Sequence, residues 1–219
     1  MFFSTPVTRA EGEKPRINLR SFYRDLTLSQ GLSLPHISIR GEEDWGFYAH
    51  STISHIYEER FIDGDKVVSD HTTGLMWHQN GSKKHVILPL FHLNVKKAKR
   101  WVKKINKKGY AGYYDWRLPT VEEASSLLES SKKNGDLYID AVFSKKQSVI
   151  WTCDIYGWTG AWYVDFIDGI IIVDWDDTSS GVYVRPVRTI REKPRINLRS
   201  FYRDLTLSQG LSLPHISIR

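Results

Sequence analysis

The stretch "GYAGYYDWRLPTVEEASSLLE", Gly109 to Glu129, decides how the rest of the chain is read. It closes one helix and opens another. Gly109 is the residue type that accepts the left-handed backbone of a helix C-terminus. Thr120 is followed three residues later by Glu123, the reciprocal pair that caps a helix start. Pro119 favours an extended approach to that cap. Ala124, Leu127 and Leu128 then supply an apolar stripe. Asp115 and Arg117 read as a structural ion pair or hydrogen-bond brace beneath the helix start rather than as catalytic groups.

Immediately upstream, "NVKKAKRWVKKINKKGY" predicts a helix with Asn94 as its N-cap. Val95, Ala98, Val102 and Ile105 fall on one face. The remaining surface carries Lys96, Lys97, Lys99, Arg100, Lys103, Lys104, Lys107 and Lys108, with no acid among them. Such a helix attracts polyanions by releasing their counterions, without reading any sequence. The plainer alternative is a solvated face of snorkelling lysines.

Further upstream, "GDKVVSDHTTGLMW" predicts two strands around a turn at Asp70–Gly74. Downstream, "SVIWTCD", "AWYVDF" and "IIIVDW" predict strands with a turn at Asp168-Gly169, and "VYVRPVR" closes the series. Trp162, Val164 and Phe166 alternate onto an inward face. Two helices among hairpins give an α+β pattern. On the outward positions, Tyr163, Asp165, Ile170, Ile172, Asp174, Asp176, Asp177 and Tyr183 mix aromatic, apolar and acidic groups, which reads as a recognition surface. Asp174, Asp176 and Asp177 also offer a loop of oxygens to calcium. A solvated acidic turn is the simpler account of the same three residues.

Beyond this region, one sequence occurs twice. "EKPRINLRSFYRDLTLSQGLSLPHISIR" runs from Glu13 to Arg40 and again from Glu192 to Arg219. It reads as an extended arm followed by a short helix capped by Thr27 or Ser29. The organisation expected is an arm over 1–44, a domain over 45–188, and the second copy over 189–219. That second copy is the start of another unit, or a tail that docks where the first copy docks.

Composition bounds the rest. The 219 residues are 41% hydrophobic and 13% aromatic, with eight Trp, which fits one well-buried core. A single Cys excludes an internal disulfide. The net charge of +6 favours anionic partners. No apolar run reaches the roughly 18 residues of a membrane span. "MFFSTPVTRAEGE" is no signal peptide as written, although it can be the tail of one.

"VVSDHTTGLMWHQNGS", "GYAGYYDWRLPTVEEASSLLE", "LYIDAVF", "IWTCD", "AWYVDFIDG" and "YVRPVR", in this order, resemble the bacterial family named for the C-terminal domain of a Legionella collagen-like adhesin. The resemblance covers about Asp65 to Arg188. It implies a C-type-lectin-like fold of the sulfatase-modifying-factor branch, with two helices flanking a small antiparallel sheet. It implies a non-enzymatic, extracytoplasmic binding module, secreted, periplasmic or at the cell surface. The ligand expected is an acidic or sulfated polysaccharide, or a surface protein, with no sequence-specific nucleic acid. Members of the broad fold also include the variable receptors of diversity-generating retroelements, which leaves a protein ligand open. The branch contains a copper-dependent oxidase that needs two cysteines, and Cys153 alone cannot supply them. The eight His show no zinc-ligand spacing, although His71 and His78 flank "TTGLMW" and can meet in space. No cofactor is expected apart from the possible calcium.

Overall fold

The structure is a computed structural model that describes residues 15–83, 91–158, 160–174 and 182–191, with only the backbone described at 91–95 and 174. Contacts divide the chain into two units, Met1–Thr189 and Ile190–Arg219. All described helices and strands lie in the first.

The polypeptide is α+β, with two antiparallel sheets and few helices. The first sheet has strand order β1-β2-β8-β7-β6: β1 (Ile37–Glu43), β2 (Gly46–Ser51), β8 (Ile170–Asp174), β7 (Gly160–Asp165) and β6 (Val149–Tyr156). The second has order β3-β4-β5-β9: β3 (Tyr57–Ile62), β4 (Asp65–Asp70), β5 (Leu75–His78) and β9 (Val187–Thr189). One small sheet was the expectation, and there are two. The recognised motifs themselves divide between them, β4, β5 and β9 in one sheet and β6, β7 and β8 in the other, while β1 to β3 lengthen both. Residues 44 and 45, where the sequence suggested a domain start, form the turn between the paired strands β1 and β2.

The core fills between the sheets and a short helix. Phe47 and Ala49 from β2, Trp162 and Val164 from β7, and Ile171 and Val173 from β8 meet Val68, Trp77 and Val187 from the other sheet. Val121, Ala124, Leu127 and Leu128 complete the cluster. The expected alternation holds: Trp162, Val164 and Phe166 are all fully buried. Burying one such Trp is worth several kcal/mol, about 3–5 by truncation.

Both predicted helices form, with different lengths. α2 spans Phe91–Lys108 and starts before Asn94, so Asn94 is not its cap. The apolar spacing of Phe91, Val95, Ala98, Val102 and Ile105 already extended the stripe by a turn. Gly109 ends the helix at φ 65°, as expected. α3 covers only Val121–Ser125. Thr120 and Glu123 form the predicted reciprocal cap, with Thr120 N donating to Glu123 Oε2 at 2.9 Å. The stripe continues past the helix because Ser125 and Ser126 turn their hydroxyls back onto the carbonyls of Glu122 and Glu123. Leu128 N then bonds Ser125 O in a tighter turn.

The first repeat copy packs on this body as an arm. It is extended through Asp25, then forms α1 (Leu28–Leu32), capped by Thr27 with Gln30 as its partner. Leu26 N donates to Ile155 O, and Ile155 N to Arg24 O. Gly31 lies so close to Trp162 that a Cβ there would stand 2.5 Å from the indole ring. The second copy lies outside the described residues.

Candidate functional site

A two-residue turn fixes one wall of a wide cleft. Ile62 pairs with Asp65, leaving Asp63 (φ 51°) and Gly64 (φ 83°) as the loop. Asp-Gly is the dipeptide this hairpin turn prefers, because both residues need positive φ. Asp65 Oδ2 accepts from Ala111 N at 2.8 Å, and Tyr110 Oη donates to Lys66 O at 2.7 Å. The 3₁₀ turn Tyr110–Gly112 that follows α2 is thereby stitched to the hairpin.

Aromatic rings make the floor. The His78 ring stacks on Tyr110 with centroids 4.0 Å apart. Trp101 and Trp116 approach His78 at 5.6 and 6.3 Å. Trp116 is locked in turn by Asn106: the Asn106 amide donates to Trp116 O at 2.8 Å and accepts from Trp116 N at 2.9 Å. His78 Nδ1 accepts from Gly81 N at 3.0 Å, which fixes it as an acceptor and the ring as neutral. Burial, with help from the Arg185 cation, lowers the His78 pKa to about 3. Burial also raises the Tyr110 phenol above its usual value.

The other wall is α2. Lys97, Arg100, Lys104 and Lys107 line the cleft from the helix, Lys66 from β4, and Lys83 from the bend after β5. The volume enclosed is about 1250 Å³. Asp65 is the single carboxylate among its described lining residues. The helix cations predicted as one polyanion face are thus divided. Lys99 and Lys103 stand over a second, smaller pocket, while Lys96 is exposed and lines neither.

Arg185 lies beneath this floor, fully buried. Its guanidinium donates to Gln79 O at 2.5 Å and Ser144 O at 3.1 Å, and it sits 4.9 Å from the Phe143 ring centroid. Among the described residues the hydrogen-bond partners of this cation are main-chain carbonyls and the Gln147 amide oxygen rather than a carboxylate.

Five residues of the predicted recognition face on the hairpin have described side chains, and they differ in exposure. Ile170 is buried, with 7% of its surface exposed. Tyr163 and Ile172 face each other in register but are half-buried, and Tyr163 packs edge-on against the fully buried Trp151. Tyr183 is also half-buried, its backbone bonded to Val149 and Trp151. The segment around Tyr183 bridges in parallel to Ile150 and so lies at the β6 edge of the sheet. Asp165 is spent on its own turn, accepting from Ile167 N at 2.6 Å, and burial raises its carboxyl pKa. Asp176, Asp177 and the side chain of Asp174 lie outside the described residues, so the calcium expectation does too. Among the described residues no group of three His, Cys, Asp or Glu could hold a metal.

Three smaller expectations resolve. Arg117 pairs with Glu123 at 2.6 Å rather than with Asp115, which pairs with Arg188 at 2.7 Å. The capping glutamate is nearer Arg117 once the helix has turned it inward. His71 and His78 do not meet: His71 pairs with Glu58 on the surface, while His78 belongs to the cleft floor. Cys153 is mostly buried, and burial pushes its thiol up to about 12, the condition of an unreactive thiol. Sequence reading missed His78 and Tyr110 as floor residues and Asn106 as the side chain that holds Trp116. The Asp63-Gly64 turn was the signal available for the facing wall.

The His78 environment predicts an acid-sensitive fold. Its pKa is about 3 when folded against an ordinary 6.5, so the unfolded chain binds the extra proton between those values. Stability is therefore lost as pH falls from 6.5 towards 3, by up to about 4 kcal/mol. His78→Asn keeps an acceptor for Gly81 N but removes the titration. Urea midpoints measured from pH 3.5 to 7 should be lower overall in that variant, with a flatter dependence on pH.

These features define an α+β protein whose described surface carries a basic cleft floored with aromatic rings. Residues 66–188 match the model of the Lcl C-terminal domain, and the chain belongs to that family. The matched span contains α2, His78 and Tyr110. No curated protein and no solved structure matches the chain. No described helix is long and apolar enough to cross a membrane.

Proposed function

We propose that the chain is a non-enzymatic, lectin-like binding module that acts outside the cytoplasm and holds an acidic or sulfated polysaccharide in the cleft beside α2. The C-type-lectin-like character of the fold is part of this reading. The observation that carries it is the convergence of Lys66, Lys83, Lys97, Arg100, Lys104 and Lys107 on an aromatic floor. Sugar rings stack on aromatic faces, while their sulfates or carboxylates find cations arranged along a groove. A wide, open cleft suits a polymer segment better than a small enclosed substrate. The basic helix thereby replaces the hairpin face as the leading candidate.

The test is titration calorimetry with heparin and with polygalacturonate, at two salt concentrations. Lys97→Ala/Arg100→Ala/Lys104→Ala removes three cleft cations, each worth roughly 0.5–1 kcal/mol at an exposed site. Affinity should fall about 10- to 100-fold, with a weaker dependence on salt. Lys99→Ala/Lys103→Ala, off the cleft, should bind nearly as the parent does. Equal losses in both variants would mean that net charge, not this cleft, does the binding.

A further inference from the structure

The second pocket is built from different parts of the chain. Its walls are the arm (Ser21 and Tyr23), the far side of α2 (Lys99, Val102 and Lys103), and the Trp116–Leu118 segment, with Cys153 of β6 also lining it. Its volume is about 360 Å³, at the small-molecule end of the pocket range of roughly 300–1,000 Å³.

Chemistry divides the pocket into two zones. Val102, Trp116 and Leu118 are buried core residues that present apolar surface to it. Cys153 adds a thiol whose pKa is raised by burial, so it behaves as a small apolar group. Arg117 lines the pocket, but its guanidinium is held by both Glu123 oxygens at 2.6 Å. Positive charge at the mouth comes instead from Lys99 and Lys103, both exposed and one helical turn apart. An apolar floor under two ammonium groups complements a molecule with an apolar body and one anionic end.

We propose that this pocket binds a small amphipathic anion, an alkyl or aryl carboxylate or sulfonate, with its apolar body on Val102, Trp116 and Leu118 and its charged end between Lys99 and Lys103. This site is separate from the polysaccharide cleft on the other side of α2. It also makes the arm part of a ligand site, since Ser21 and Tyr23 form one wall.

The probe is decanoate, titrated calorimetrically into the full chain, with decanol-derived methyl ether as its uncharged counterpart. Saturable one-to-one binding of decanoate, at least fivefold weaker or absent for the ether, is the expected result. Lys99→Ala/Lys103→Ala should weaken decanoate at least fivefold. Ser21→Trp, an exposed arm position, should block the mouth and abolish binding with both lysines in place. Lys97→Ala/Arg100→Ala/Lys104→Ala should leave decanoate binding unchanged, so failure here and failure of the polysaccharide reading are told apart. The proposal is overturned if decanoate does not saturate, if the ether binds equally well, or if neither pocket variant changes the affinity.

Discussion

Asp154→Ala should lower the stability of the fold by about 3–5 kcal/mol, the cost of stranding a buried charge. For a chain of this size that is a melting-temperature drop of roughly 10 °C. Asp154 is fully buried and accepts from four N–H groups. Two come from Arg20, both at 2.8 Å, in the forked geometry that a guanidinium offers a carboxylate. The third is Arg24 N at 2.7 Å, and the fourth is Val121 N at 2.6 Å, at the start of α3. One carboxylate thus pins the arm and the helix to β6. Removal orphans all four donors and leaves the Arg20 charge with Glu122 at 3.7 Å as its remaining ion-pair partner. Thermal melts of Arg20→Ala, Asp154→Ala and the double variant make a cycle. The double variant should cost clearly less than the sum, because the second change removes a charge that the first has already stranded. Additive losses would show that the clasp is not a unit.

The second large effect concerns Arg185. Replacing a buried ion pair with apolar groups is often harmless, because both charges leave together. Arg185 differs, since the groups it satisfies are main-chain carbonyls that no substitution can remove. Arg185→Met keeps much of the volume and the contact with Phe143 but takes the donor from Ser144 O and leaves Gln79 O with only a long bond from Ser144 N at 3.4 Å. At about 1–3 kcal/mol for each buried unsatisfied group, less the desolvation cost of the cation, the net loss is roughly 2–4 kcal/mol. Burial already lowers the Arg185 pKa to about 9, a sign of how unwelcoming the site is to charge. Arg185→Lys has no planar fork and reaches fewer carbonyls, so it should fall between the parent and Met. Urea denaturation of the three proteins checks the order. The same substitution removes a positive neighbour of His78, so the His78 pKa should move up from about 3 in Arg185→Met, as followed by NMR of the ring protons.

Local rules carried the reading of the sequence a fixed distance. The Thr120–Glu123 cap, the Gly109 stop and the alternation of Trp162, Val164 and Phe166 depend on neighbours within a few residues, and each is present. Arg117 does brace the helix start, but its ion pair with Asp115 failed because proximity in sequence was taken for proximity in space. The carboxylate that reaches Arg117 comes from the next helix, and the arginine that reaches Asp115 comes from the last described strand. Arg20 and Asp154 are separated by 134 residues, a distance over which no periodicity or spacing reports. The cleft was half legible. Its cations were plain in "NVKKAKRWVKKINKKGY", but only the helix axis decides that Lys97 and Lys104 face one cavity and Lys99 and Lys103 another. Ile170 shows the opposite error. Alternation placed it outward, and it is buried on β8 between its register partners Tyr48 and Asp165.

The docked arm gives the molecule an internal standard. Leu26, whose amide donates to Ile155 O, recurs as Leu205 in the same local sequence, and Arg20 recurs as Arg199. Intrinsic exchange chemistry depends on neighbouring residues, so each amide in one copy has a twin with the same unprotected rate. Hydrogen exchange at Leu26, divided by exchange at Leu205 in the same tube, cancels pH, temperature and sequence. What remains is the difference in environment between two identical peptides on one chain.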